Sequence, residues 1–261
     1  MAGRGLYTCT VAALLEPCTT YWFLETGDTM KDSIYIALDV PTIDEARALA
    51  AKLEPLGVGL KIGLQLFTAS GPDPVRELAA KAPIFLDLKF HDIPNTVAGA
   101  LRSVAGLGAS MTNIHLGGGE AMARAAVQAR DAAGSSTKLI GVTVLTSMGD
   151  EDLAELWGGA PDAGERALHL ARKARDWGLD GVVASAKEAR AIREACGEEF
   201  LIVTPGIRPA GAATSDQKRV LTPAEALAAG ASHLVVGRPV TQASDPAKAC
   251  EEILKQMTDA G

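Results

Sequence analysis

The feature that most constrains this chain is an alternation. From Ser33 onward, short apolar runs take turns with longer stretches of helical spacing. Residues 33–40, 59–67, 84–90, 110–116, 138–145, 181–185, 200–205 and 233–237 read as strands. Between them, "TIDEARALAAKLEP" has helical spacing with Thr42 at its N-cap and Glu45 three residues on. "PDPVRELAAK" carries Pro at its start. A longer helical stretch runs from strand five to Trp177. Strands alternating with helices predict parallel strands joined by helical crossovers. Eight such pairs in about 230 residues predict a single-domain (β/α)8 barrel. An open doubly wound sheet is the structural rival. Its usual dinucleotide-binding form is excluded, because the first turn, "LDVPTID", lacks G-x-G-x-x-G.

Residues 1–31 read as an N-terminal extension, poorly ordered, and residues 32–261 as the barrel domain. The apolar stretch Val11–Leu15 is short, is broken by Glu16 and Pro17, and has no clean cleavage site after it, so a secretory leader is not favoured. Met30-Lys31-Asp32 makes a natural beginning for the barrel. No run of ~18 apolar residues exists, so no transmembrane helix is expected. The net charge of -7 and pI of about 5.2 argue against a nucleic-acid surface, which needs a basic stripe. Cys9, Cys18, Cys196 and Cys250 show no C-x-x-C spacing and fit free thiols in a reducing cytoplasm. His91, His115, His169 and His233 show no metal-binding spacing.

In such a barrel, chemistry sits at the carboxyl ends of the strands. Polar residues gather there. The sharpest signal is "FLDLKFHDIPNT", where Asp87, Lys89 and Asp92 follow an apolar run. Charges are rarely buried unless paired. Residues 87 and 89 are two apart and so face one side of a strand. A salt bridge closing the barrel mouth would account for that pair, but it leaves the second acid without a role. Asp39 ends strand one and Lys61 lies in strand two; on their own they fit a structural ion pair equally well. "TPGIRPAG" and "VVGRPVT" place Arg208, Gly237 and Arg238 after strands seven and eight, the usual phosphate site of this fold. Arginine suits a phosphate because its planar fork donates two hydrogen bonds. "LTSM" after strand five is a helix cap or a binding element. His91 reads as a solvent-facing loop residue, and the Met, Trp and other His residues as packing.

From about Ser33 to Leu254 the chain resembles the orotidine 5′-phosphate decarboxylase family. The resemblance rests on "ALD" (37–39), "KIG" (61–63), "DLKFHDIPNT" (87–96), "VTVLTSM" (142–148), "TPGIRPAG" (204–211), "DQKR" (216–219) and "VVGRPVTQ" (235–242). It implies a cytoplasmic homodimer that removes CO2 from a nucleotide in the last step of de novo UMP synthesis, with no metal and no organic cofactor. By motif, Lys89 would donate the proton, and Asp87 would lie beside the departing carboxylate. Asp92 and Thr96 would reach into the partner's site. Asp39 and Lys61 would meet the ribose hydroxyls, and Thr146 the base. Arg208, Gln217, Gly237 and Arg238 would hold the phosphate, with residues 206–218 closing over it. The alternative is a Mg²⁺-dependent sugar-phosphate decarboxylase or aldolase-type barrel, which shares D-x-K-x-x-D. "HDIPNT" and "DQKR" favour the nucleotide. A non-catalytic phosphate-binding barrel is a further rival.

Overall fold

The computed structural model describes residues 31–159, 162–209 and 221–258. The expectations for residues 1–30, for "DQKR" with Gln217, and for most of the 206–218 loop lie outside these described residues. The strands are β1 (Ile34–Ala37), β2 (Gly59–Gly63), β3 (Ile84–Phe90), β4 (Met111–His115), β5 (Lys138–Val142), β6 (Gly181–Val183), β7 (Leu201–Pro205) and β8 (His233–Val236). They are parallel and follow chain order around a closed ring, with β1 pairing both β2 and β8. This is the (β/α)8 barrel that the alternation predicts.

The crossovers form for local reasons. Thr42 is extended and accepts a hydrogen bond from the Glu45 N–H, and helix α1 (Ile43–Leu53) buries Ala46, Ala50 and Leu53 on one face. The Glu45 carboxylate accepts from the Thr42 hydroxyl rather than from its backbone, so only half of the capping box forms. Pro74 lies in the first turn of Asp73–Ala79, where its missing N–H costs nothing.

The first and fifth strands end earlier than expected, at Ala37 and Val142, and two spans differ in kind. The run 59–67 is not all strand: β2 stops at Gly63, and Leu64–Ser70 is helical. Its second half lacks alternation, leaving Leu64 56% exposed and Leu66 buried, so helical spacing prevails there. The long stretch ending at Trp177 is two helices, Asp150–Trp157 and Ala163–Asp176. Gly158 and Gly159 both take positive φ (74° and 79°), a conformation that no ordinary helix residue adopts.

The period of two sorts each strand. Ile34, Ile36, Ile62, Ile84 and Leu86 point outward into the helices, in the larger core cluster. Tyr35, Ala37, Phe85, Met111, Ile140, Val203 and Val235 fill the barrel interior. Tyr35 meets Phe85 edge-on with ring centroids at 5.7 Å and stacks on His233 at 6.0 Å. These rings form a solid floor, and one residue pair further along the strands the interior turns polar.

Gly59 makes room for that floor. A Cβ there would stand 2.6 Å from the Tyr35 ring, which is too buried to yield. Gly59→Ala should therefore destabilise the fold by about 1–3 kcal/mol, read as a lower urea midpoint. Turnover at the opposite end of the barrel should stay within about threefold.

Candidate active site

The inward residues above the floor line a cavity of about 520 Å³ at the carboxyl ends of the strands. Asp39, Lys61, Asp87, Lys89, Thr146, Arg208, Gly237 and Arg238 all line it, so eight of the expected residues converge. The β1–β3 side is charged. The β5–β7 side is apolar, made by Val142, Val144, Leu145, Val183 and Pro205. One wall can thus receive polar and charged groups, while the other can cover a flat ring.

The charges alternate in sign from β1 to β3. Lys61 Nζ lies 3.1 Å from Asp39 Oδ1 and 3.4 Å from Asp87 Oδ2. Lys89 Nζ donates to Asp87 Oδ1 at 2.7 Å. Asp87 is the centre: its carboxylate is shared by two ammonium groups and by the side-chain amide of Asn113, which donates to Oδ1 at 2.7 Å. Burial opposes the ionisation of Asp87. The charges of Lys61 and Lys89, with hydrogen bonds from Lys89 and Asn113, outweigh that and hold its carboxyl below the ordinary range. Lys61 is only 7% exposed and sits against Gly63, where a Cβ would meet Asp39 Oδ1 at 3.0 Å and Lys61 Nζ at 3.1 Å. The glycine of "KIG" therefore gives the ion pair its space.

Asp87 obeys the strand period, pairing in register with Gly63. Lys89 does not. The β3–β4 register shifts between Leu86 and Phe90, and Lys89 has φ of 49°. Its ammonium reaches the cavity through a bulge in left-handed backbone, not through simple alternation. The Lys89 N–H donates to Asn113 Oδ1 at 2.7 Å.

Asp92 and Thr96 are exposed and stand outside the lining of this cavity. The Asp92 carboxylate accepts from the Ile93 N–H at 2.6 Å. Among the described residues of one chain, then, Lys89 is paired with a single acid. His91 is exposed, as expected for a loop residue, and its ring also stacks on His115 at 5.2 Å. Burial, then His91 and Lys89, push the His115 pKa down. Sequence reasoning missed Asn113 and gave no separate role to Gly63 of "KIG" or to Gln242 of "VVGRPVTQ", which also lines the cavity. Asn113 had a readable signal: it is an inward position of β4, two residues after Met111, and a buried amide in a strand requires partners.

Among the described residues, no group of three or more His, Cys, Asp or Glu side chains is arranged to hold a metal ion. No helix among them is long and apolar enough to cross a membrane.

Known proteins resemble this chain over most of its length. Residues 32–253 match the family model described as Orotidine 5′-phosphate decarboxylase / HUMPS family. The orotidine 5′-phosphate decarboxylase of Moorella thermoacetica is 50% identical over 233 residues, covering 87% of this chain and 92% of the relative. That of Nitrosococcus oceani is 51% identical over 231 residues, covering 88% and 99%. The crystal structure of orotidine 5′-phosphate decarboxylase from Lactobacillus acidophilus superposes with a TM-score of 0.77 at 39% identity, over 87% of this chain and 99% of that one.

The shared carboxylate predicts an acid limb of stability. Because the folded pKa of Asp87 lies below its ordinary value of 3.8, its stabilising contribution is complete above about pH 4 and is lost as pH falls through the lower native value. Asp87→Asn should remove that part of the slope. At pH 7 it should also cost about 3 kcal/mol, since two ammonium groups lose their common counter-charge. Denaturant titrations between pH 2 and 7 on both proteins measure the difference.

Proposed function

The chain belongs to the orotidine 5′-phosphate decarboxylase family, and on that premise we propose how its residues divide the work. It is a carboxy-lyase of UMP biosynthesis that converts orotidine 5′-phosphate to uridine 5′-phosphate and CO2. The observation that carries the assignment of roles is the Lys89 ammonium 2.7 Å from Asp87 in the cavity at the carboxyl ends of the strands.

Loss of CO2 leaves an electron pair on a ring carbon with no conjugated sink. Cofactors normally supply such a sink; here the charge must be met by fixed groups. Lys89 is cationic beside Asp87, so it stabilises the developing carbanion and then protonates it. Asp87 stands where the substrate carboxylate must leave. Two like charges about 4 Å apart at an effective dielectric constant of ~20 repel by about 4 kcal/mol, or roughly three decades in rate. A demanding decarboxylation needs accelerations of up to ~10^17, about 23 kcal/mol. Repulsion is therefore a minor contribution, and stabilisation by Lys89 carries more.

The remaining residues hold the nucleotide. Asp39 and Lys61 meet the ribose hydroxyls, and Thr146 reads the base against the apolar wall. Arg208, Gly237 and Arg238, with Gln217 from the 206–218 loop, grip the phosphate. That grip supplies binding energy remote from the reacting carbon, which can hold the site closed over a strained charge arrangement.

The second acid comes from another copy of the chain. Asp92 and Thr96 lie outside their own cavity, beside Ile93, which is 67% exposed. An exposed isoleucine between two polar residues suits an isologous dimer interface. In the dimer, Asp92 and Thr96 of each chain complete the site of the other. Cys196 and Cys250 are free thiols, which suits a cytoplasmic enzyme.

Ultraviolet monitoring of orotidine 5′-phosphate turnover tests this reading. Lys89→Ala should lower kcat by ~10^4-fold or more, and excess EDTA should leave the wild-type rate unchanged; a rate abolished by EDTA and restored by Mg²⁺ would overturn the cofactor-independent role given to Lys89. Mixing inactive Asp92→Ala and Lys89→Ala proteins should restore about a quarter of wild-type activity, since one site in each mixed dimer is intact. No recovery after verified subunit exchange would place Asp92 in its own chain's site. Arg238→Ala should lower kcat as well as raise KM.

A further inference from the structure

Lys89 has an unfavourable backbone for a long side chain. Among the described residues it is the one non-glycine residue with positive φ. Such a conformation persists only where its surroundings impose it. The β3–β4 ladder lapses between Leu86 and Phe90, so the Lys89 N–H has no strand partner there. The side chain that meets this need is Asn113, which is fully buried and absent from the cavity lining.

We propose that Asn113 is a positioning residue for the decarboxylation, clamping the β3 bulge so that Lys89 and Asp87 face the substrate as one unit. Its Oδ1 accepts from the Lys89 N–H at 2.7 Å, and its Nδ2 donates to Asp87 Oδ1 at 2.7 Å. That same carboxylate oxygen receives the Lys89 ammonium at 2.7 Å. One amide thereby ties the backbone of the lysine to the acid that holds its tip. The orientation of the amide is forced, because a flip would set N–H against N–H and oxygen against carboxylate. Asparagine supplies the acceptor and the donor on two separate atoms of a short, uncharged side chain. Aspartate has the same shape but places a second anion against Asp87.

The charged groups around this point are Asp87 and Lys89 of β3, Lys61 of β2 and, through it, Asp39 just beyond β1. His115 lies two residues along β4, with His91 stacked on it. On β5 the register partner is Ile140, which carries no charge. A shift of about 1 Å in the Lys89 ammonium is enough to cost ~100-fold in rate. Asn113 does not line the cavity, so its effect should fall on the chemical step.

The inference rests on the functional reading above, and the experiment separates the two. Asn113→Ala and Asn113→Asp are compared with wild type for kcat, KM and affinity for uridine 5′-phosphate. Asn113→Ala should lose kcat by about 100-fold and keep product affinity within about threefold. Asn113→Asp should be slow at neutral pH. It should recover relative to wild type as pH falls, because two adjacent carboxyls take up a shared proton and the resulting O–H can donate to Asp87. A wild-type-like kcat in Asn113→Ala, with the wild type active, overturns the inference alone, as does a parallel loss of kcat and product affinity. Should the alanine variant not fold, the aspartate variant decides: a variant-to-wild-type ratio that does not change with pH overturns the clamp. An inactive wild type defeats the functional reading, and this inference with it.

Discussion

One carboxylate organises the mouth of this barrel. Asp87 is taken out of water at the end of β3, which alone would favour its neutral form. It stays ionised because Lys61, Lys89 and Asn113 converge on it from three directions. Each of those groups has its own requirement in turn. Lys61 needs Asp39 and the bare backbone of Gly63, and Lys89 needs a bulged, left-handed strand end. The first four strands therefore cannot vary independently at their carboxyl ends.

Much of this was legible in the residue order, because periodicity reports burial. Eight apolar runs separated by helical spacing specify a closed parallel ring almost by themselves, and the polar ends of those runs mark the site. Reading failed where two periods overlap or where geometry departs from an ideal element. "LQLF" after Gly63 is apolar enough to extend a strand, yet its spacing is helical. Gly158-Gly159 divides what composition presents as one long helix. Alternation correctly faced Asp87 into the cavity, but it placed Lys89 there for the wrong reason: the side chain arrives through a register shift.

Asn113 shows a different limit. A polar residue inside an apolar strand announces that it has a partner, but not which one. Its partners are 24 and 26 residues away in sequence, on another strand, and only the register of the barrel joins them. Asp92 shows the same limit: the sequence displays it close to Lys89, while the fold leaves it outside the cavity lining.

The aromatic floor has a consequence for traffic. Tyr35, Phe85 and His233 cork the lower end of the ring, and Met111 and Ile140 fill the space beside them. The vessel is open at one end only. Nucleotide and gas must both pass through a single doorway. Each turnover is therefore a sequence of admissions and departures through one opening.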